Sequence, residues 1–279
     1  MQLGAFGVFL GARGLDGEAV AQAARVAESA GFGALWLGGS PRLSVVRPAL
    51  AASERLVVAT GIVNVWDYDP AELAGEYAEI TDEHGDRVVV GIGIGHREAT
   101  DRYEKPIATM RGFLDGIDAA ERPIPADRRV LAALGPRMLA LSAERAGGAH
   151  PYFVPREHVV VARDAVGPDK LVAAELSVAI DDDPERGRAA AEGFARFYLG
   201  LDNYVSNLLR LGFSEQDVAG DGSAALLDRV VPQGDAARIA AVARDFRAAG
   251  ADHVAVQVVG AAGVPEAQWR ALSSALGLG

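Results

Sequence analysis

The run Arg87-Val-Val-Val-Gly-Ile-Gly-Ile-Gly-His-Arg-Glu98 constrains the fold more than any other stretch of the chain. Val88, Val89, Val90, Ile92 and Ile94 leave no polar/apolar alternation. A strand made of them must be covered on both faces, as parallel strands packed under helices are. Gly91, Gly93 and Gly95 then thin the strand toward its C-terminal end, and His96-Arg97-Glu98 turn the chain toward a helical segment. A strand that opens through glycine into a polar turn brings backbone N–H groups within reach of a flat, anionic ligand. The same glycines would also relieve crowding inside a narrow barrel. They do not form the dinucleotide fingerprint, which needs a third glycine where this chain has His96 or Glu98.

The rest of the sequence repeats the strand–helix alternation. Strands are expected at Leu3–Phe9, Ala34–Leu37, Leu56–Val63, Val88–Ile94, Val130–Leu134, Ala149–His150, Leu171–Ile180 and His253–Val259. The helices between them are expected at Asp16–Ala30, Arg47–Ser53, Pro70–His84, Ala99–Ala119, Pro136–Ala146, Glu157–Val166, Pro184–Gly200 and Asp235–Ala249, with Pro265–Leu276 closing the chain. Caps agree with this reading: Asp16 before the first helix and Gly31 after it, Pro70 at a helix start and Gly85 at its end. Residues Leu201–Val231 break the rhythm and read as an insertion of short helices before the last βα unit. Eight strands in 279 residues, without a Pro- or Ser-rich linker, fit one α/β domain spanning 1–279: a (β/α)₈ TIM barrel, a fold of ~250 residues. A doubly wound open sheet is the alternative.

Composition narrows the function. The net charge of −11 and the lack of a basic stripe argue against nucleic acid as a partner. No apolar run approaches the ~20 residues of a membrane span, and the N-terminal stretch reads as a first strand rather than a signal peptide, so a cytoplasmic protein is expected. The absence of cysteine removes disulfides, thiolate metal sites and a Cys nucleophile.

In a barrel, chemistry sits at the C-terminal ends of the strands. Those ends carry Phe9 and Gly11; Gly38, Gly39 and Ser40; Gly61, Asn64, Trp66 and Asp67; Gly95, His96 and Arg97; Leu134 and Gly135; His150 and Tyr152; Asp181 to Asp183; and Gln257 and Gly260. Only His96 and His150 titrate near neutrality, and their spacing suggests no metal-ligand pair. A glycine-lined, aromatic-edged mouth suits a planar redox cofactor that supplies its own chemistry.

Several segments, in order, resemble the luciferase-like flavin and deazaflavin oxidoreductases, and among them the branch that uses coenzyme F420. They are Gly31–Ser40, Ala59–Trp66 with Pro70–Ala74, Arg87–His96, Leu134–Met138 with Ala146-Gly147, and Gln233–Asp235 followed by Ala249–Gln257. The resemblance implies a bulge with a non-prolyl cis peptide at Gly61-Ile62 backing the deazaflavin ring. It places Ile94, Gly95, His96 and Arg97 at the ring edge and tail, with Arg97 pairing the tail phosphate. Gly38, Gly39 and Asn64 join this wall, and Gly135-Pro136-Arg137 and Gly147-Gly148 would contribute loop contacts. Arg97 and Arg137 would equally be expected as solvated arginines at helix starts. Sugar-phosphate dehydrogenases of this class carry an Asp-His pair after the second strand. This chain has Gly38-Gly39-Ser40 there, so that activity is not expected. Ser40 or Asn64 would then orient a substrate oxygen, and His96 or His150 would move a proton.

The expected function is hydride transfer between F420 and a small organic substrate. An FMN-dependent monooxygenase of the same fold is the alternative, and a non-catalytic binding protein on a degenerate barrel is a second one. The resemblance also implies a homodimer formed through the faces near Glu72–Tyr77 and Arg47–Ser53.

Overall fold

A computed structural model describes residues 2–39 and 42–279. Eight parallel strands close into a barrel: β1 (Phe6–Gly11), β2 (Ala34–Gly38), β3 (Val57–Gly61), β4 (Val88–Gly93), β5 (Arg129–Leu131), β6 (Gly148–Ala149), β7 (Leu171–Ile180) and β8 (His253–Val258). Each pairs with the next, and β8 pairs with both β7 and β1 to complete the ring. The eleven α-helices run α1 (Gly17–Ser29), α2 (Val46–Ala51), α3 (Pro70–His84), α4 (Pro106–Asp118), α5 (Pro136–Arg145), α6 (Arg156–Val166), α7 (Pro184–Leu199), α8 (Asp202–Arg210), α9 (Ala224–Val230), α10 (Ala236–Ala248) and α11 (Glu266–Leu276) among the described residues. Asp16, Asp69, Asp183, Ser223 and Asp235 cap the first turns of α1, α3, α7, α9 and α10 through their side-chain oxygens.

The differences from the sequence reading have local causes. The first strand is shifted C-terminally, starting at Phe6 and running to Gly11. The helix expected from Ala99 begins only at Pro106, because a residue before proline is disfavoured in the α region and Lys105 adopts a left-handed φ of 42°. The third strand is not continuous to Val63. Its ladder is interrupted at Gly61-Ile62, whose peptide bond is cis, and pairing to β4 resumes at Val63–Asn64. Thr60 bridges the interruption, its hydroxyl donating to the Gly91 carbonyl at 3.1 Å and accepting from the Gly91 N–H at 3.0 Å. Gly91 is required here, since a Cβ would run into the Thr60 carbonyl. Residues 201–231 hold α8 and α9, and a two-residue strand, Gln233–Gly234, extends the sheet beside the end of β7.

Three packing clusters position the site. Between barrel and helices lies the main core, built from the outward residues of the strands and the apolar faces of the helices. Inside the barrel, Trp36 fills the axis among Ala34, Ala59, Val89, Val130, Ala173 and Ala255. Polar groups share this interior. Trp36 donates to His253 Nε2 at 3.1 Å, His253 Nδ1 donates to the Gly4 carbonyl at 2.8 Å, and the His150 ring stacks on Trp36 at 4.2 Å. A third cluster packs α7, α8 and α9 around Phe153, above the ends of β6 and β7.

Candidate functional site

The strand ends open into a cavity of about 940 Å³, a size at which pockets bury a drug-sized ligand. One wall is backbone-rich: Gly61, Ile62 and Asn64 after β3, Gly93 to His96 at the end of β4, and Ala132 to Met138 leading into α5. Gly11 and Gly135 also line the cavity, and a Cβ at either would meet no atom within 4 Å. Gly95 adopts φ 67°, and a Cβ there would come within 2.8 Å of Asn64 Nδ2. The turn is fixed by Trp66, whose indole donates to the Ile94 carbonyl at 2.8 Å and whose backbone N–H donates to Asn64 Oδ1 at 3.1 Å.

The rest of the lining is largely aromatic, with Phe9 packed against Gly61. Phe9 comes from β1, Tyr152 follows β6, and Phe197, Tyr198 and Tyr204 come from the α7–α8 junction. Tyr152 donates to Gln257 Oε1 at 2.8 Å, and the Tyr152 and Tyr198 hydroxyls are 2.9 Å apart. Burial pushes the Tyr198 phenol up to about 12, so these hydroxyls stay neutral. Beneath them Glu175 on β7 is fully buried. It accepts from Phe153 N–H at 3.0 Å and from the Ser177 hydroxyl at 2.5 Å. Desolvation pushes the Glu175 carboxyl up to about 7. Its bond to Phe153 holds a residue with φ 53°, which fixes the turn that presents Tyr152.

His96 and His150 stand in different settings. His96 is half-buried, and its Nδ1 is hydrogen-bonded to the Asn203 side-chain amide at 3.2 Å. Desolvation lowers its pKa, partly offset by this bond. Glu98 accepts from the Asp202 N–H at 3.1 Å, so the turn after β4 and the start of α8 are tied together across the mouth. His150 is buried, donates from Nδ1 to the Ala173 carbonyl at 2.7 Å, and its Nε2 has no partner among the described residues. Burial lowers its pKa to about 4, so it is a neutral acceptor at physiological pH.

The structure brings Gly39, Gly61, Ile62, Asn64, Ile94, Gly95, His96, Gly135, Pro136, Arg137 and His150 to one cavity. It does not bring Gly38, Arg97, Gly147 or Gly148 to its wall. Gly38 lies under the Phe9 ring, and Gly147 and Gly148 let β6 approach the Asp127 and Leu171 backbone. Arg97 is exposed, with its guanidinium 5.7 Å from the Tyr103 ring centre. Ser40 lies outside the described residues. Sequence reasoning missed Arg13, Tyr103, Phe197, Tyr198, Asn203 and Tyr204 as wall residues. Arg13 and Arg137 are exposed at the mouth and have no hydrogen-bond or ion-pair partner among the described residues.

Residues 4–267 match the model of the luciferase-like monooxygenase family. The chain belongs to the luciferase-like monooxygenase family. It is therefore an enzyme of an oxidoreductase family. Solved structures with the same barrel cover nearly the whole chain. A coenzyme F420 dependent tetrahydromethanopterin reductase from Methanopyrus kandleri matches with a TM-score of 0.74 at 17% identity, over 98% of each chain. An F420-dependent secondary alcohol dehydrogenase in complex with an F420-acetone adduct matches with 0.76 at 13%, again over 98% of each. A type II Baeyer-Villiger monooxygenase from Pseudomonas putida in complex with FMN matches with 0.66 at 14%, over 96% of this chain and 95% of that one. At these identities the likeness is one of fold. Among the described residues no helix is long and apolar enough to cross a membrane, and no three His, Asp or Glu residues converge as a metal site.

Proposed function

We propose that this luciferase-like protein transfers a hydride between the deazaflavin coenzyme F420 and a small organic substrate. The carrying observation is the division of the cavity: a glycine-rich backbone wall with open space at Gly11 and Gly135, flanked at the mouth by Arg13 and Arg137. A planar ring would lie along such a wall, where Gly11 and Gly135 present backbone and no side chain. Bound there, a deazaflavin supplies the hydride-accepting and hydride-donating carbon.

The chain's own residues do the rest. Gly61, Ile62, Ile94 and Gly95 form the surface against which the ring lies. Arg13 and Arg137 would hold the anionic tail by charge-assisted hydrogen bonds, aided by the N-terminus of α5, where Gly135 provides no side-chain cap. Aromatic side chains exclude water from the rest of the cavity, so the protein contributes orientation and dryness more than acid–base power. Asn64 and His96 are polar groups near the backbone wall, and the His96 ring is held by its hydrogen bond to Asn203. His150 accepts a hydrogen bond and, with its pKa lowered to about 4, does not shuttle protons at neutral pH.

FMN-dependent oxygenation is the second reading, supported by the FMN-bound neighbour with the same barrel. Titration with F420 and with FMN, following cofactor fluorescence, separates the two. F420 should bind at micromolar concentration and FMN more weakly; no F420 binding at tens of micromolar removes the reading. We also propose a homodimer through the faces near Glu72–Tyr77 on α3 and Arg47–Ser53 at α2. A monomer in equilibrium sedimentation at micromolar concentration refutes it.

A further inference from the structure

The aromatic side of the cavity has its own hydrogen-bond arithmetic. Tyr152 has one proton, and it goes to Gln257 Oε1. The 2.9 Å contact between the two phenols therefore has Tyr198 as donor and Tyr152 as acceptor. Tyr198 is left with an oxygen that can only accept. Gln257 keeps its amide hydrogens, and His150 Nε2 is an acceptor because Nδ1 carries the proton. No Asp or Glu stands among the described lining residues, so a cationic ligand finds no counter-charge. A carboxylate or an ether meets lone pairs at Tyr198. A hydroxyl fits both requirements, donating to Tyr198 and accepting from Gln257.

The surrounding surface is built for a ring. Tyr198 is held by Phe153 stacked below it at 4.8 Å and by Tyr204 edge-on at 5.2 Å. Phe197, edge-on to Tyr198 at 5.1 Å, lines the cavity and is 63% exposed, a large apolar side chain left uncovered at the mouth. Aromatic side chains fixed in this way favour offset or edge-on contact with another ring.

We propose that this arm of the cavity binds a planar, apolar substrate carrying a hydroxyl group, anchored by Tyr198 Oη and the Gln257 amide. The proposal rests on the reading of the cavity as the joint cofactor and substrate site.

The test uses 2-naphthol, 2-methoxynaphthalene and naphthalene, titrated against the full-length protein with and without F420 and followed by ligand fluorescence. Wild type should prefer 2-naphthol over the methyl ether by roughly three- to ten-fold, the range conferred by one neutral hydrogen bond. In Tyr198→Phe that preference should disappear while naphthalene binding is kept, and Phe197→Ala should weaken all three. Equal binding of 2-naphthol and its methyl ether to wild type overturns the proposal, as does a preference that survives Tyr198→Phe. If that variant does not fold, the wild-type comparison alone decides. Cofactor titration is a separate reading: naphthol selectivity without F420 or FMN binding leaves the hydroxyl subsite standing and removes the cofactor assignment, and the reverse outcome removes only the subsite.

Discussion

Glu175→Gln isolates the energetic consequence of placing a carboxyl inside the barrel. The folded chain holds the Glu175 proton up to about pH 7, against 4.5 for an ordinary glutamate, because the side chain is fully desolvated. Between those values the folded state carries one proton more than the unfolded state. Stability from this group is therefore complete below pH 4.5 and is lost as pH rises through 7. At about 1.4 kcal/mol per pH unit the loss comes to about 3 kcal/mol. Glutamine is isosteric and retains both bonds, its carbonyl accepting from Phe153 N–H and its amide donating to a reoriented Ser177 hydroxyl. The variant should thus match wild type within about 1 kcal/mol at pH 4.5 and exceed it by about 3 kcal/mol at pH 8. Urea unfolding of both proteins at intervals between these pH values measures the gap, and the other titrating groups cancel in the difference. A gap that stays constant, or that narrows as pH rises, refutes the reasoning.

Burial also lowers His150, His158 and His253 to about 4. All three should stay neutral above pH 5.5 in ¹H–¹⁵N NMR; because their folded pKa lies below 6.5, the stability they retain at pH 7 should drain away as pH falls from 6.5 toward 4. Gly135→Leu, which adds a side chain at a lining position where a Cβ meets nothing within 4 Å, should cut cofactor affinity at least about ten-fold while leaving the unfolding midpoint nearly unchanged; calorimetric titration beside a thermal melt checks both. Gly148→Ala, whose Cβ would strike the Leu171 carbonyl, should cost about 3 kcal/mol or prevent folding, as read by the same melt. Arg137→Ala should weaken F420 binding and flatten its dependence on salt, since a charge contact at the mouth is screened.

How far the sequence revealed this arrangement depended on where order is encoded locally. Strand β7 is readable to the residue, since Leu171–Ile180 is apolar but for Glu175 and Ser177 and is bounded by Lys170 and Asp181. The short β5 and β6 are less readable, because barrel closure needs only three and two residues of pairing there. Gly61, Ile62 and Gly95 were legible as strand-end features. Gly38, Gly147 and Gly148 have the same local appearance, and only packing against Phe9, Asp127 and Leu171 separates them from the cavity. Asn203 and Tyr204 were missed because 201–231 has no barrel periodicity to say which side faces the strand ends, and Tyr198 because nothing in a helix pattern alone says that the end of α7 reaches over them. The spacing of Phe194, Phe197 and Tyr198 on one turn of α7 was the available signal. Glu175 was also hidden: a glutamate within an apolar strand gives no hint that Phe153 N–H and Ser177 will meet it.

The central claim is that the strand-end cavity holds a deazaflavin against Gly61-Ile62, and a crystal soaked with F420 tests it most directly. The account predicts ring density along the Gly61, Ile62, Ile94 and Gly95 wall, with the anionic tail running toward Arg13 and Arg137. Density elsewhere, or an empty wall at saturating F420, would contradict it.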